Sequence, residues 1–466
     1  MLTHLRIEGF KAWRDTGPIR LAPITAFFGA NSSGKTSLLQ FMLMLKQTAA
    51  SADRTQVFEL GGERALVELG TYDDILFREG HYLDPGSERP FDELKWSISW
   101  TLPGPLRIAD PENSKRILFE GRDVRYDAEV RRLEDGNLRV ERMLYRFSGA
   151  AFGMQQKRGG KKPQYDLLVE DAGSFQPKRT RGRAWDLPAP LKCYGFPDQA
   201  RGYFQNTAFL SDLELMFEEL LGSVHYLGPL REYPARQYPW AGSEPADMGR
   251  RGEAAIAALL SARRRGPEIS MGRGIRRRTL EEHVAHWLRQ LGLIEYFHVE
   301  EIAPGSNLYR VKVRKSITSA EVLLTDVGFG VSQVLPVLVL LFYAPEGSIV
   351  ILEQPELHLH PSVQAGLADV LIDATERRGI QLIVESHSEH FLLRLQRRVA
   401  EARLETKRAA LYFCDRAPGG ESKLMELDLD LLGNIRNWPK DFFGDSFGER
   451  EAMVRAGLKR RRETAA

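Results

Sequence analysis

The sequence predicts an α/β fold whose two halves are separated by a large inserted strand-rich lobe and a helical lid. Three observations carry that expectation. An apolar, β-prone run from Ile24 to Phe28 leads through a Gly- and Ser-rich loop into the helix-forming stretch SLLQFMLMLKQT. A second apolar run, from Ser348 to Leu352, ends in Glu353, and 317 residues separate Thr36 from that acid. Beyond Asp326 helix and strand patterns alternate, the grammar of a parallel sheet covered by helices.

The 466 residues leave room for about three domains, or for one large domain carrying an insertion. Hydrophobic residues make up 43% and charged residues 27%, which excludes disordered, collagen-like and coiled-coil classes. Lys and Arg total 65 against 63 Asp and Glu, a formal charge of +2, so nucleic-acid binding has to rest on local patches. Cys193 and Cys414 lie far apart, without metal-ligand spacing, and a reducing cytoplasm is expected. The N-terminus, MLTHLRIEGFKAW, lacks the apolar core of a signal peptide, and the longest apolar run, Val334 to Ala344, is far short of a bilayer span. A soluble protein without a membrane partner is expected.

Within residues 1–80, LRIEGF is short and alternating, Gly17-Pro18 marks a turn, and Ile24 to Phe28 delivers Gly29 at a strand end. Residues 81–205 are rich in Pro and Gly. They carry the alternating stretches KWSISW and RVERMLYRF and basic loops at Lys157 to Lys162 and Lys178 to Arg183, and they read as the inserted strand-rich lobe. Residues 206–320 read as a helical lid or connector. LSDLELMFEELL and LEEHVAHWLRQLGL have helical spacing, around a basic, Gly-rich stretch from Arg250 to Arg278. Residues 321–466 resume the α/β pattern with an apolar helix before Tyr343, the strand SIVILEQ, a helix near Val363 to Glu376, the strand QLIVES and the helix FLLRLQRRVA. No internal repeat or sustained heptad is present, so no long coiled-coil arm is expected.

Gly29-Ala30-Asn31-Ser32-Ser33-Gly34-Lys35-Thr36 matches GxxxxGK[ST] in full, with the strand before it and the helix after it that the mechanism requires. Backbone N–H groups from Gly29 to Ser37 and the helix N-terminus cradle phosphate oxygens. The glycines allow close approach, Lys35 neutralises β/γ-phosphate charge and Thr36 coordinates magnesium. Glu353 ends its strand where a phosphate-loop protein presents a magnesium-side carboxylate. After it come Gln354-Pro355-Glu356-Leu357-His358-Leu359-His360-Pro361, paired carboxylates and histidines beside a buried strand. The strand QLIVES leads to His387, placed to touch a γ-phosphate or an attacking water. Asp326 to Gln333, with Gly330 and Ser332, opens a helix with a second anion-binding N-terminus.

This set resembles the ABC-type ATPase heads of the SMC, RecF and OLD families, split by an insertion. It is more specifically similar to prokaryotic AAA-family ATPases with motifs like YLGPLR, DVGFGVSQVLP, EQPELHLHP, SHSEHFLLRLQRR and a final GNIxNWPxxFF. Here these are Tyr226 to Arg231, Asp326 to Pro336, Glu353 to Pro361, Ser386 to Arg398 and Gly433 to Phe443. The resemblance implies a head that forms a homodimer or higher oligomer around ATP and Mg2+. Gly330 and Ser332 would contact the nucleotide of a second copy, and His387 would be the switch histidine. The segment Gly70 to Asp74 is similar to the region such heads place near the metal and lid. The heads usually carry acid-acid-Pro, whereas Gln354 occupies the second position here. Slow hydrolysis is therefore expected, with Glu356 or His387 supplying the base; Glu353, Gln354, Glu356 and His387 form the catalytic set. Lid and lobe would transmit closing and opening of the dimer.

Arg263 to Arg265, Arg273 with Arg276 to Arg278, Lys178 to Arg183 and Lys459 to Arg462 form either a DNA-binding face or a solvated surface balanced by acids. Only 79 residues follow His387, so a separately encoded effector such as a nuclease is the expected partner, not a fused one. The resemblance implies a role in DNA transactions or antiviral defence. The alternative is a non-hydrolysing, ATP-bound scaffold that assembles or restrains that effector. Trp438, Phe442 and Phe443 read as a small satellite core packed on the head.

Overall fold

The structure is a computed structural model. It describes all residues except 64, 80–88, 91, 111–112, 158–162, 183–185, 267, 273, 440–441, 444–451, 458–459 and 461–466. The basic positions Arg158, Lys161, Lys162, Arg183, Arg273, Lys459, Arg461 and Arg462, and the side chain of Arg265, therefore lie outside the described residues.

The chain opens with strands β1 (Leu2–Phe10), β2 (Trp13–Asp15), β3 (Ile19–Arg20) and β4 (Ile24–Gly29), followed by helix α1 (Lys35–Ala50). A short helix, α2 (Tyr72–Ile75), precedes the paired β5 (Arg78–Glu79) and β6 (Arg89–Pro90). The long strands β7 (Glu93–Asp110), β8 (Asn113–Arg132), β9 (Leu138–Phe147), β10 (Ala150–Gln156) and β11 (Tyr165–Glu170) come next. Helices α3 (Asp198–Gly202) and α4 (Leu210–Gly222) lead to β12 (Val224–Leu227). Then come β13 (Tyr238–Pro239), α5 (Ala255–Arg265), α6 (Leu280–Gln290), β14 (Tyr296–Glu301), β15 (Leu308–Arg314) and β16 (Val322–Leu323). The final section alternates α7 (Phe329–Tyr343), β17 (Ile349–Glu353), α8 (Pro361–Arg378), β18 (Gln381–Glu385) and α9 (Glu389–Ala400), and ends with β19 (Ala409–Arg416) and β20 (Ser422–Glu426).

Two large sheets result. One has the order β12-β17-β18-β4-β19-β20, parallel except for β20 at its edge. It unites the two ends of the chain, as the split α/β pattern predicts. The other is antiparallel, in the order β11-β10-β9-β8-β7-β1-β2, with β3 paired to β1. The strands of the stretch read as an inserted lobe thus extend a sheet begun by β1, through the register Leu5↔Ile98 and Ile7↔Trp96. The 206–320 stretch is not wholly helical. It supplies β12 to the parallel sheet and forms a small antiparallel sheet from β13, β15, β14 and β16. Val299, Val311 and Val313 alternate toward its core at period two, a signal that helical spacing in its neighbours obscured.

The parallel sheet is buried on both faces, which is why its strands read as nearly continuous apolar runs. Phe27 on β4, Ile349 and Ile351 on β17 and Ile383 on β18 face a core shared with α1, α4 and the antiparallel sheet. Ile24, Ala26 and Phe28, with Val350, Leu352, Leu382 and Val384, face a second core built by α5, α6, α7, α8 and α9. Helix α1 is apolar on nearly all sides because it lies between sheets, with Leu38, Leu39 and Phe41 to Leu45 buried. Gln381 ties the two sheets together: its Nε2 donates to Leu2 O and its Oε1 accepts from Leu2 N, each at 2.8 Å.

The C-terminal aromatic residues form a satellite core behind the strand that enters the phosphate loop. Phe442 stands edge-on to Phe28 at 6.0 Å and to Phe413 at 4.7 Å, with Trp438 at 5.0 Å. Gly433 explains part of this motif. At φ +82°, an added Cβ would sit 2.3 Å from Gln396 O on α9, while Gln396 Nε2 donates to Gly433 O at 2.8 Å.

Candidate functional site

The loop between β4 and α1 is shaped by three residues with positive φ: Gly29 at +140°, Ser32 at +60° and Gly34 at +93°. Its walls leave no room for side chains at the two glycines. A Cβ on Gly29 would lie 2.1 Å from Cys414 O, and one on Gly34 2.5 Å from Ser422 Oγ and 3.0 Å from Trp13 Nε1. Trp13 Nε1 donates to Gly34 O at 3.0 Å, fixing the turn into α1. Ala30, Asn31 and Ser32 are exposed at the mouth, whereas Ser33 and Lys35 are buried. Ser37 N closes the first helical turn on Gly34 O at 3.1 Å.

Lys35 folds inward, its Nζ donating to Ala30 O at 2.7 Å, Gly29 O at 3.0 Å and Ser33 Oγ at 3.4 Å. Burial lowers its pKa, opposed by the charges of Glu385, Cys414 and Glu356. The loop thus holds a cation among its own carbonyls, in a cradle that a methyl group would fill. These residues fit a polyphosphate, which would take Lys35 as its counter-charge.

Three side chains line the carboxyl edge of the sheet beside the loop. Thr36 Oγ1 donates to Glu385, with Oε2 at 2.9 Å and Oε1 at 3.1 Å. Glu353, which stands opposite Glu385 in the β17/β18 register, is held by Tyr226 OH at 2.6 Å. The sequence reading placed both Thr36 and Glu353 on magnesium; in the structure the hydroxyl of Thr36 meets Glu385, because β18 lies between β17 and β4. Burial, then the charge of Glu353, pushes the Glu385 pKa up to about 7, against Thr36, Lys35 and Gln354. Burial also raises that of Glu353, against its bond from Tyr226 and the charges of Arg250 and Arg231.

Gln354 sits at φ +44°. Its backbone N–H donates to Glu385 O at 2.9 Å and its Nε2 makes a long 3.5 Å contact with Glu385 Oε1. Glu356 is buried and braces the turn after β18, Oε1 accepting from His387 N at 2.6 Å and from Ser386 Oγ at 2.9 Å. His387 is half-buried against the loop; burial and the Lys35 charge lower its pKa, while the Gly29 backbone raises it. Arg231 is buried between Tyr226, Glu353 and Glu356, with Nε and one terminal nitrogen unpartnered and its pKa lowered to about 10 by burial.

Other candidates have different surroundings. His360 caps α8, its Nδ1 accepting from Ser362 N at 3.3 Å, and His358 is exposed. Gly330 lies in the first turn of α7, 3.3 Å from Leu293 Cδ2 when given a Cβ. Ser332 is buried and donates to Phe329 O at 2.9 Å, so its hydroxyl turns into its own helix. In the segment Gly70 to Asp74, Asp74 caps α2 through Thr71 and Asp73 pairs with Arg132. Sequence reasoning missed Glu385, Trp13 and Ser422. For Glu385 a signal existed, since it ends an apolar strand beside His387 as Glu353 ends its own.

Two family models match parts of the chain. Residues 263–394 match the family described as "AAA domain, putative AbiEii toxin, Type IV TA system". Residues 404–452 match "Protein of unknown function (DUF3696)". No curated protein matches the sequence. Among solved structures, the SMC head bound to the C-winged helix domain of ScpA aligns over 92% of this chain and 98% of its own, at 10% identity and a TM-score of 0.47. The SMC head domain from Thermotoga maritima aligns over 92% and 99%, at 11% identity and 0.41. The Smc head with an extended coiled coil, bound to the C-terminal domain of ScpA derived from Pyrococcus furiosus, aligns over 91% and 96%, at 10% identity and 0.45.

Proposed function

We propose that this protein is a magnesium-dependent ATPase with slow turnover that acts as a dimerising switch in DNA transactions or defence, together with a separate effector. The observation that carries the reading is the strand-loop-helix from Ile24 to Ala50. Its two sterically closed glycines, inward Lys35 and Thr36 at the helix start form a phosphate cradle at the carboxyl edge of a parallel sheet. Magnesium, when bound, would offset phosphate charge from the side of Thr36. The defence reading draws support from the description of the family matched at 263–394. The switch reading draws on Gly330 in the first turn of α7, beside the exposed pair Phe329 and Tyr233, whose rings stand 5.9 Å apart.

Gln354 supports slow chemistry, since an amide accepts no proton from water. Oε1 of Glu356 accepts from Ser386 and His387 while its Oε2 is buried without a partner among the described residues, so Glu356 and the half-buried His387 both stand as the base. Within the basic face Arg263 pairs with Glu281 and Arg276 with Glu282; contact of the face with DNA phosphates would be salt-dependent.

The test is ATP hydrolysis by the purified protein with and without duplex DNA, beside Lys35→Ala. Turnover that vanishes in the variant and rises with DNA is expected. Tight ATP binding and dimerisation without turnover in either condition would establish the scaffold instead. No nucleotide binding at all would overturn the reading.

A further inference from the structure

We propose that Arg231 is a positioning residue for Glu356, and that the free oxygen of Glu356 takes the proton of the attacking water. The assignment rests on the ATPase reading above and deepens it, by choosing between its two candidate bases.

The first argument is a buried charge without a partner. Arg231 is 5% exposed, and its Nε and Nη1 have no hydrogen-bond partner among the described residues. Buried polar groups are nearly always paired, and leaving a charged donor unpaired is costlier than leaving a neutral one. The backbone on either side sets its direction: Gly228 N donates to Arg250 O and Glu232 N to Arg251 O, each at 2.9 Å. The loop therefore holds the guanidinium in place with donors to spare.

The second argument is the matching acceptor. Arg231 and Glu356 each lie four residues past the paired Leu227 and Leu352, beyond the carboxyl ends of the adjacent parallel strands β12 and β17. Oε1 of Glu356 is fixed by His387 N at 2.6 Å and by Ser386 Oγ at 2.9 Å, while Oε2 is buried without a partner among the described residues. One oxygen orients the carboxylate and the other stays open, which is what a base requires. Burial raises the pKa of Glu356, against backbone and Ser386 hydrogen bonds and the charge of Arg231. The unpaired cation thus favours the ionised, proton-accepting form.

The third argument separates Glu356 from its neighbours. Glu353 has Tyr226 and Arg250 as well as Arg231, so it keeps a hydrogen bond and a positive neighbour without Arg231. Gln354 accepts no proton. His387 gives its backbone N–H to Glu356, and burial and the Lys35 charge lower the pKa of its ring, which weakens it as a base. The charge of Lys35 also reaches Glu356, so that carboxylate is coupled to the phosphate loop and to the lid segment at once.

In the step itself, water gives a proton to Glu356 Oε2 and its oxygen bonds the γ-phosphorus. The bond from that phosphorus to the β,γ-bridging oxygen breaks and its electron pair leaves with ADP. Glu356 then returns the proton to the released phosphate.

The experiment is a double-mutant cycle in single-turnover ATP cleavage with excess Mg2+, using the wild type, Arg231→Gln, Glu356→Gln and the double variant. Affinity is read separately with a slowly hydrolysed, ribose-labelled fluorescent ATP analogue, in Mg2+ and in EDTA. Glu356→Gln is expected to slow cleavage about a hundredfold or more and Arg231→Gln about tenfold or more, with analogue affinity within threefold in both. The double variant is expected to cleave within twofold of Glu356→Gln, because Arg231 then has nothing to act through. Arg231→Lys, which keeps the charge, is expected to recover most of the loss. Should glutamine at 231 prevent folding, Arg231→Met takes its place in the cycle. Unchanged cleavage in Glu356→Gln, losses that multiply in the double variant, or analogue binding weakened as much as cleavage in Arg231→Gln would each overturn the assignment. So would a wild type that binds the analogue and cleaves no ATP, which leaves the nucleotide site standing. A wild type that binds no analogue in either condition would overturn the site itself.

Discussion

The phenol of Tyr226 donates a 2.6 Å hydrogen bond to Glu353 Oε2, joining the first strand of the lid segment to the acidic strand of the parallel sheet. Burial raises the pKa of that carboxyl and the phenol lowers it, so the bond helps keep Glu353 ionised. Removing a donor from a buried acceptor costs about 1–3 kcal/mol. Tyr226→Phe should lose stability of that order in urea unfolding, while analogue affinity in EDTA stays within twofold. A variant as stable as the wild type would show that Arg231 and Arg250 alone suffice for Glu353.

Gly29 and Gly330 make opposite predictions from the same kind of substitution. At Gly29 an alanine Cβ meets backbone, 2.1 Å from Cys414 O, at φ +140°. The loop must move or β19 must, at roughly 1–3 kcal/mol or more. Gly29→Ala should melt lower and bind nucleotide at least tenfold more weakly. At Gly330 the nearest atom is Leu293 Cδ2 at 3.3 Å, the end of a flexible side chain. Gly330→Ala should change stability by no more than about 0.5 kcal/mol. A loss of ATP-dependent dimerisation in that folded variant would then belong to contact between copies.

Glu214 on α4 gives the molecule a pH-dependent stability away from the nucleotide site. Its carboxyl accepts from Phe196 N and lies 3.7 Å from Arg201, yet burial pushes its pKa up from 4.5 to about 7. Between those values the folded state binds more protons than the unfolded one. The stability this group contributes is therefore complete below about pH 4.5 and is lost as pH rises through 7, with a limiting slope of about 1.4 kcal/mol per pH unit. Glu214→Gln cannot titrate. Its melting temperature should match the wild type near pH 5 and exceed it at pH 8; parallel curves would show that Arg201 fully offsets the burial.

The α/β pattern and the phosphate loop were legible because their signals are local. A strand, a five-residue loop and an apolar helix are contiguous from Ile24 to Ala50, and the glycines stand where the backbone takes positive φ. Glu385 carried a signal as an acid ending an apolar strand, but which of the two acids meets Thr36 was not legible. That choice depends on β18 entering the sheet between β4 and β17, a pairing across hundreds of residues that leaves no mark in either strand. The same holds for β1, whose alternation predicts a strand but not that β7 is its partner. In the lid segment β14 and β15 are short strands that follow the amphipathic helix α6, and the stronger periodicity dominated the reading. His360 shows the converse error: a histidine beside an acidic strand suggested chemistry, and the residue caps a helix.

Phe442 connects the last of the chain to the loop that the first of it builds. Its ring is buried against Phe28, the residue before Gly29, and against Phe413 on β19, whose next residue, Cys414, supplies the carbonyl that closes over Gly29. Truncating a buried phenylalanine costs about 3–5 kcal/mol, and more where the surroundings cannot collapse. Here the surroundings are two neighbouring strands of a sheet, β4 and β19 in parallel register, which cannot close independently of the loop they carry. Phe442→Ala should therefore lower stability by that amount and also weaken nucleotide binding several-fold in the folded fraction. Trp438→Ala, at a ring 45% exposed, should cost less than half as much and leave binding unchanged. Equal effects from the two substitutions, read by urea midpoint and by analogue titration below the transition, would show that the aromatic group acts as a separate cap and not as the back wall of the phosphate loop.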